Sequence, residues 1–263
     1  MSVSEQRRRE AITEMILAET SGRPRDLSDG LVHVRERNPG DRSQPAHREG
    51  PPYAGVMRCV TLGAGAIVTA EAEHMEWTRG VYEGLDRDGV FDPVQTGEAA
   101  RYWARHGFRV FGPFPRFSGS SGSVRKVAVP EGYVIRVVGP DVTAKVDHKK
   151  FHNGLNPERE GVRPTRFAAC AYAAGSSLVL ASPVGMAAVC ADSDALWQIG
   201  IDVDEAHQGR GLGLALASVA AAETLSQGRV PYWGATNSNI RSHRTALGAG
   251  LIPSYVEVLI RPA

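Results

Sequence analysis

Apolar residues recur at helical spacing near the start of the chain. Ala11, Ile12, Met15, Ile16 and Leu17 fall on one side of EQRRREAITEMILAET, with charges opposite, and predict a helix over 5–20. From Ser21 to Pro52 the periodicity lapses into Pro, Gly, Arg and Asp, which predicts loops with one short helix or strand around Leu31 to Val34. Val56–Leu62 and Ala66–Ala70, split by Gly63-Ala64-Gly65, predict a β-hairpin. Helices over about 71–84 and 96–106 follow, then a strand from Phe108 to Phe111 that ends at Gly112-Pro113. Phe117 to Ser123, FSGSSGS, is small and polar, with no evident means of burying itself, and reads as a loop or linker. A domain boundary is placed there, dividing the chain into 1–120 and 125–263.

The second half is more regular. Tyr133–Val138 predicts a strand, and Asp141 to about His152 a helix with an Asp N-cap. Phe167–Tyr172 and Ser177–Ala181 read as antiparallel strands around Gly175, Gly185–Ala191 and Leu196–Val203 as two more. Region 153–166 shows no clear helix. A helix then runs to about Gln227 and stops at Gly228, a suitable residue just past a helix end. Pro231–Thr236 predicts a strand, Ile240–Ala249 a helix closed by Gly250, and Tyr255–Ile260 a last strand.

Composition narrows the class. The chain has 263 residues, 42% hydrophobic and 22% charged, as expected of an ordinary folded protein with an apolar core. A net charge of +1 gives no sign of a dedicated nucleic-acid binder. Cys59, Cys170 and Cys190 are scattered among apolar residues, without metal spacing, and read as reduced thiols of a cytoplasmic protein. No membrane-spanning stretch or leader is apparent.

The candidate chemistry lies in Ile199–Leu225, IGIDVDEAHQGRGLGLALASVAAAETL. A strand delivers a glycine-dense turn, Gln208-Gly209-Arg210-Gly211-Leu212-Gly213, directly to a helix start. Backbone N–H groups unhindered by Cβ atoms and the positive end of the helix dipole suit such a turn to phosphate. A P-loop would need Lys-Ser/Thr after the glycines, and none follows. A dinucleotide fingerprint would need a third Gly where Leu214 stands. The pattern Q/R-x-x-G-x-G/A is met in register by Gln208, Gly211 and Gly213.

That turn resembles the acetyl-CoA pyrophosphate loop of the GNAT (GCN5-related N-acetyltransferase) superfamily. Val203 before the turn, Asn239 after the next strand and Gly250-Leu251 carry the resemblance further. Asn239-x-x-Ser242, with Ala246 before Gly250, is similar to the zwittermicin-resistance type of GNAT protein. The resemblance implies an α/β fold with a mixed, mostly antiparallel sheet, preceded by a smaller α/β accessory domain, with element order β–α–β–β–β–α–β–α–β. It implies direct transfer of an acetyl group from acetyl-CoA to a small-molecule amine. Gln208, Gly209, Arg210, Gly211, Leu212 and Gly213 would hold the pyrophosphate, Ile201 and Val203 the pantetheine edge with the oxyanion amide, and Asn239, with Ser242 one helical turn on, would contact the cofactor arm.

The family's proton-transfer residues are not matched. The usual Tyr position is Ala246 and a frequent Glu position is Gly234. Asp202 and Ser242 are the catalytic candidates, with Asp194 and His243 as further ones and an already neutral amine as the alternative. His148 and His152 stand four apart in HKKFH, but without the acid of HExxH or a third ligand no metal is expected. In the resembled fold His148, His152 and Asn153 would line the acceptor side, and Trp197 and Trp233 could wall its pocket or simply pack in the core. Two other readings remain open: an aminoacyl-tRNA donor, which would require a contiguous basic surface, and an acyl-CoA-binding sensor without turnover. The chain is expected to be a monomer or a homodimer paired through its last strand.

Overall fold

The structure, a computed structural model, describes residues 2–38, 43–48, 55–155, 163–175 and 182–262. The strand expected over Ser177–Ala181 lies outside them. By contact the chain divides into two compact units that interleave in sequence. The loop unit comprises Met1–Arg8, Phe117–Trp233 and Asn239–Ile252. The N-terminal unit comprises Arg9–Arg116, Gly234–Ser238 and Pro253–Ala263. The last strand, expected with the second half, therefore counts largely with the first. The fold is α/β, with mixed and mostly antiparallel strand pairing. Among the described residues no helix is long and apolar enough to cross a membrane.

In the N-terminal unit the strands lie in the order β1 (Val32–Glu36), β3 (Ala66–Ala70), β2 (Met57–Thr61), β10 (Ile252–Pro262), β4 (Phe108–Ser118). β2 and β3 form the expected hairpin, β1 adds in parallel to β3, and β10 runs antiparallel to β2. Helices α2 (Met75–Tyr82), α3 (Arg87–Val90) and α4 (Pro93–Ala104) supply Tyr82, Val90 and Trp103 to an apolar core with Cys59, Val68 and Ile260. α3 was not expected; Asp86 caps it by accepting from the Gly89 amide. α4 starts earlier than expected because Asp92 caps it through the Val94 amide and Pro93 fits its first position. β4 does not end at Phe111. At Gly112, where φ is +115°, a Cβ would lie 2.7 Å from the Glu257 carbonyl oxygen, so the missing side chain lets β4 pass close to β10 and run on to Ser118.

The register places Arg58 and Glu257 on one face of the β2–β10 ladder. That face carries a buried ion network. Glu257 accepts from Arg48 Nη2 at 2.7 Å, from Arg116 Nε at 2.7 Å and from Arg58. Glu19, on α1 (Glu5–Thr20), accepts from Arg48 Nε at 2.8 Å and from Arg58. Burial pulls the Glu257 pKa up, but the Arg48, Arg58 and Arg116 guanidiniums more than reverse this and hold it well below the carboxylate range.

In the loop unit the order is β9 (Val230–Gly234), β8 (Leu196–Val203), β7 (Gly185–Ala191), β6 (Thr165–Ala173), β5 (Tyr133–Val138). All these pairs are antiparallel except β8 with β9. Helix α6 (Leu212–Ser226) buries Ala215, Leu216 and Ala220 toward one face, where Leu216 comes within 3.0 Å of the position a Gly185 Cβ would take. Phe151, Leu155, Cys170 and Ala188 cluster on the other face.

Two expectations fail in this unit. The helix over 141–152 is one turn only, α5 (Pro140–Thr143), capped by Gly139 and not by Asp141. The Asp147 carboxylate accepts the Lys149 amide at 2.9 Å, a local bond that competes with helix continuation, and Phe151 and Leu155 turn inward. His148 and His152 therefore share no helix face. Phe117–Ser123 is not a free linker either. Phe117, Ser118 and Ser120 are buried, and the segment's polar groups pair with distant partners. Arg8 Nη1 donates to Ser118 Oγ at 2.8 Å, the Gly119 amide to the Pro231 carbonyl at 3.0 Å, and the Ser121 amide to the Val3 carbonyl at 2.9 Å.

Candidate functional site

β8 is paired along its length with β7, from Trp197↔Ala191 to Val203↔Gly185. Its pairing with β9 covers only Leu196↔Val230, Trp197↔Pro231 and Gln198↔Tyr232. From Ile199 to Val203 its other edge has no strand partner among the described residues. An extended polar chain could lie there and take up backbone hydrogen bonds. This opening is shared by two strands that run the same way, so it leads toward the turn that follows β8.

The turn is built stepwise. The Asp204 amide donates to Val184, and a short 3-10 turn over Glu205–His207 reverses the chain. Gly209 and Gly211 then adopt φ of +75° and +80°, a region that costs an L side chain about 1–2 kcal/mol. Gly211 caps α6. At Gly213 the requirement is milder: a Cβ would meet Ile201 and Val203 side-chain atoms at 3.8 Å, ordinary contact. The amides of Gly209, Gly211, Leu212 and Gly213 donate to no protein acceptor among the described residues. Four unpaired N–H groups at the start of a 15-residue helix make an anion cradle.

The side chains around the cradle differ in role. Gln208 is used at both ends: Nε2 donates to the Val203 carbonyl at 2.9 Å, and Oε1 accepts from Arg241 Nη1 at 2.8 Å. Among the described residues Arg210 reaches only the Ala206 carbonyl, at 3.4 Å. Asn239 caps α7 (Ile240–Gly248), its Oδ1 accepting the Ser242 amide at 3.0 Å. Ser242 Oγ accepts from Trp233 Nε1 at 2.8 Å, which leaves the hydroxyl proton available to donate elsewhere. Ala246, at the usual Tyr position, is fully buried.

The remaining expected residues do not converge. Side chains alternate along β8, so Gln198, Gly200 and Asp202 face one way and Trp197, Ile201 and Val203 the other. Ile201 and Val203 lie toward Gly213 at the head of α6. Asp202 faces the opposite side, where its carboxylate accepts the Asn153 amide at 2.9 Å, the Asn153 side-chain amide at 2.5 Å and the Gly154 amide at 3.1 Å. Gly200 admits this turn: a Cβ there would lie 2.0 Å from the Asn153 carbonyl oxygen. His152 is mostly exposed, with Nδ1 4.0 Å from Asp202.

The parallel register puts Trp233 and Trp197 on the α6 side, away from Asn153. Trp233 is 2% exposed beneath α7. Trp197 is buried, with the Arg166 and Arg229 guanidiniums each 5.8 Å from its ring. Both tryptophans thus pack in the body of the unit, the second of the two roles expected of them, on the face opposite Asn153 and His152. Asp194 lies in the turn before β8, at the end away from the glycine loop. Two residues that the motif does not reveal enter the site's surroundings. Arg241 binds Gln208, and Tyr133 Oη lies 2.9 Å from His207 Nδ1 just ahead of the loop. A cation two residues after the capping Asn239 was the only sequence signal for Arg241.

No family model matches the sequence, and no curated protein matches it. Among solved structures, a GCN5-related N-acetyltransferase from Kribbella flavida is similar at 17% identity and TM-score 0.46, over 62% of this chain and 63% of that one. A GCN5-related N-acetyltransferase-like protein from Streptococcus suis is similar at 15% identity and TM-score 0.42, over 65% and 68%. A Drosophila protein is similar over 99% of this chain and 91% of its own, at 11% identity and TM-score 0.48.

Proposed function

We propose that the chain is an N-acetyltransferase that moves an acetyl group from acetyl-CoA to an amine on a small molecule. The single observation that carries this reading is the run of unpaired amides at Gly209 and Gly211–Gly213, set directly after a strand whose neighbour leaves it open from Ile199 onward. An ester with a diphosphate head and an amide-bearing arm fits both parts: the head against the amides and α6, the arm along Ile201–Val203.

The reaction needs little beyond placement. The neutral amine attacks the thioester carbon, the C–N bond forms as the C–S bond breaks, the amine loses a proton and the thiolate gains one. A β8 backbone N–H stabilises the oxyanion. Ser242 is assigned the proton relay: its O–H gives a proton to the thiolate and the hydroxyl is restored by the proton the amine loses, while Trp233 Nε1 donates to one of its two lone pairs. Asp202 is assigned a positioning role because Asn153 and Gly154 hold its carboxylate.

A second reading, an acyl-CoA-binding protein without turnover, is favoured by the buried Ala246 at the usual acid position. Calorimetric titration with acetyl-CoA, repeated for Gly211→Glu, tests the first step. Binding in the micromolar range that disappears in the variant supports the loop as the donor site. No binding to the intact protein removes acetyl-CoA as donor and moves aminoacyl-tRNA forward. Thiol release in an amine screen then separates enzyme from sensor.

A further inference from the structure

We infer that Arg241 is a second anion-binding side chain of the glycine loop, and that Gln208 is the positioning residue that holds it there. The inference rests on the donor reading above and adds two roles to it. In the motif Gln208 looks like a ligand contact. In the structure both ends of its amide are already engaged, with the Val203 carbonyl on one side and Arg241 on the other. Its side chain therefore ties three elements together: the end of β8, the loop, and the first turn of α7.

The electrostatics give the tie a purpose. Arg241 is held by a neutral amide oxygen, and neither it nor Arg210 forms an ion pair among the described residues. The guanidinium is held 2.8 Å from the side chain of Gln208, the residue next to Gly209, whose amide, like those of Gly211, Leu212 and Gly213, donates to no protein acceptor among the described residues. The α6 dipole adds to the same field. The acidic residues of this stretch do not cancel it: Asp204 is paired with Lys150 at 2.7 Å, and Glu205 is the one exposed carboxylate in the turn. The complementary ligand group is a diphosphate ester, whose two phosphates could engage the amides and Arg241 at once. A Gln at this position suits the task better than an acid, because an acid would neutralise the arginine it orients.

The test is a double-mutant cycle on the full chain. Acetyl-CoA and inorganic pyrophosphate are titrated calorimetrically into the protein and into Arg241→Ala, Gln208→Ala, the double variant and Arg241→Lys. The expected result is a loss of about tenfold in acetyl-CoA affinity for Arg241→Ala. Gln208→Ala should lose affinity too, the double variant should be no weaker than Arg241→Ala, and Arg241→Lys should recover part of the loss. Unchanged affinity in Arg241→Ala, or losses that multiply in the double variant, would overturn the inference while leaving the donor reading intact. If the intact protein binds no acetyl-CoA, the donor reading fails by itself. Pyrophosphate binding lost in Arg241→Ala would then still support the anion site, and no pyrophosphate binding by the intact protein would overturn it.

Discussion

The Asp202 carboxylate accepts the Asn153 backbone amide at 2.9 Å and the Gly154 amide at 3.1 Å. A side chain engaged this way holds a turn in place. It is poorly available to take a proton from a substrate.

Asp202→Asn is therefore expected to loosen the 147–155 segment without weakening acetyl-CoA binding. Amide hydrogen exchange at Asn153 and Gly154 should accelerate, and stability should fall by about 1–3 kcal/mol. Protection unchanged at those two amides would show that the carboxylate does not hold the turn.

The two loop glycines that look alike in sequence should behave differently. Gly211→Ala forces an L residue to φ near +80° and should cost about 1–2 kcal/mol together with most donor affinity. Gly213→Ala meets only ordinary contacts and should keep both. Thermal denaturation and calorimetric titration of the pair would decide it, and equal losses would sink the distinction.

Trp233 serves as a donor as well as core volume. Trp233→Phe should keep most of the packing and lose about 1 kcal/mol with the bond to Ser242. Trp233→Ala should cost about 3–5 kcal/mol. Urea titration of both variants measures the difference.

The N-terminal unit should be acid-sensitive. Because the folded Glu257 pKa lies below its ordinary value of 4.5, its contribution is fully present above that value and is lost as pH falls through the folded pKa. Glu257→Gln should remove this part of the acid limb in denaturation midpoints followed from about pH 7 to pH 3. It should also cost about 3–5 kcal/mol at neutral pH, since three arginines lose their shared partner. An unchanged acid limb would assign the sensitivity elsewhere.

What the chain reveals before folding follows the range of the forces. The β2–β3 hairpin, β8, the glycine turn and α6 rest on local periodicity and turn residues, and all are legible. The burial of Ser118 and Ser120 depends on Arg8 and on the Val3 and Pro231 carbonyls, partners far away in sequence, so FSGSSGS resembles a linker until those partners are known. The helix over 141–152 fails for the opposite reason: Asp147 makes a local bond that apolar spacing does not register. Which side of the sheet Trp197 and Asn153 occupy was not legible, because a strand's two faces are invisible until its neighbours are placed. Within the loop, the glycine pattern marks the backbone, whereas Gln208 acquires its role only through Arg241.

β10 lies between β2 and β4 in the N-terminal unit, yet in sequence it follows every other described strand. On the ribosome, the N-terminal unit must therefore wait, with the β2 edge uncovered and Arg48 and Arg58 lacking Glu257, until β10 has been made. The same arrangement limits how such a gene can be rearranged. A recombination break in the middle would separate the opening residues from the strand that closes them, so the two units pass on together or not at all.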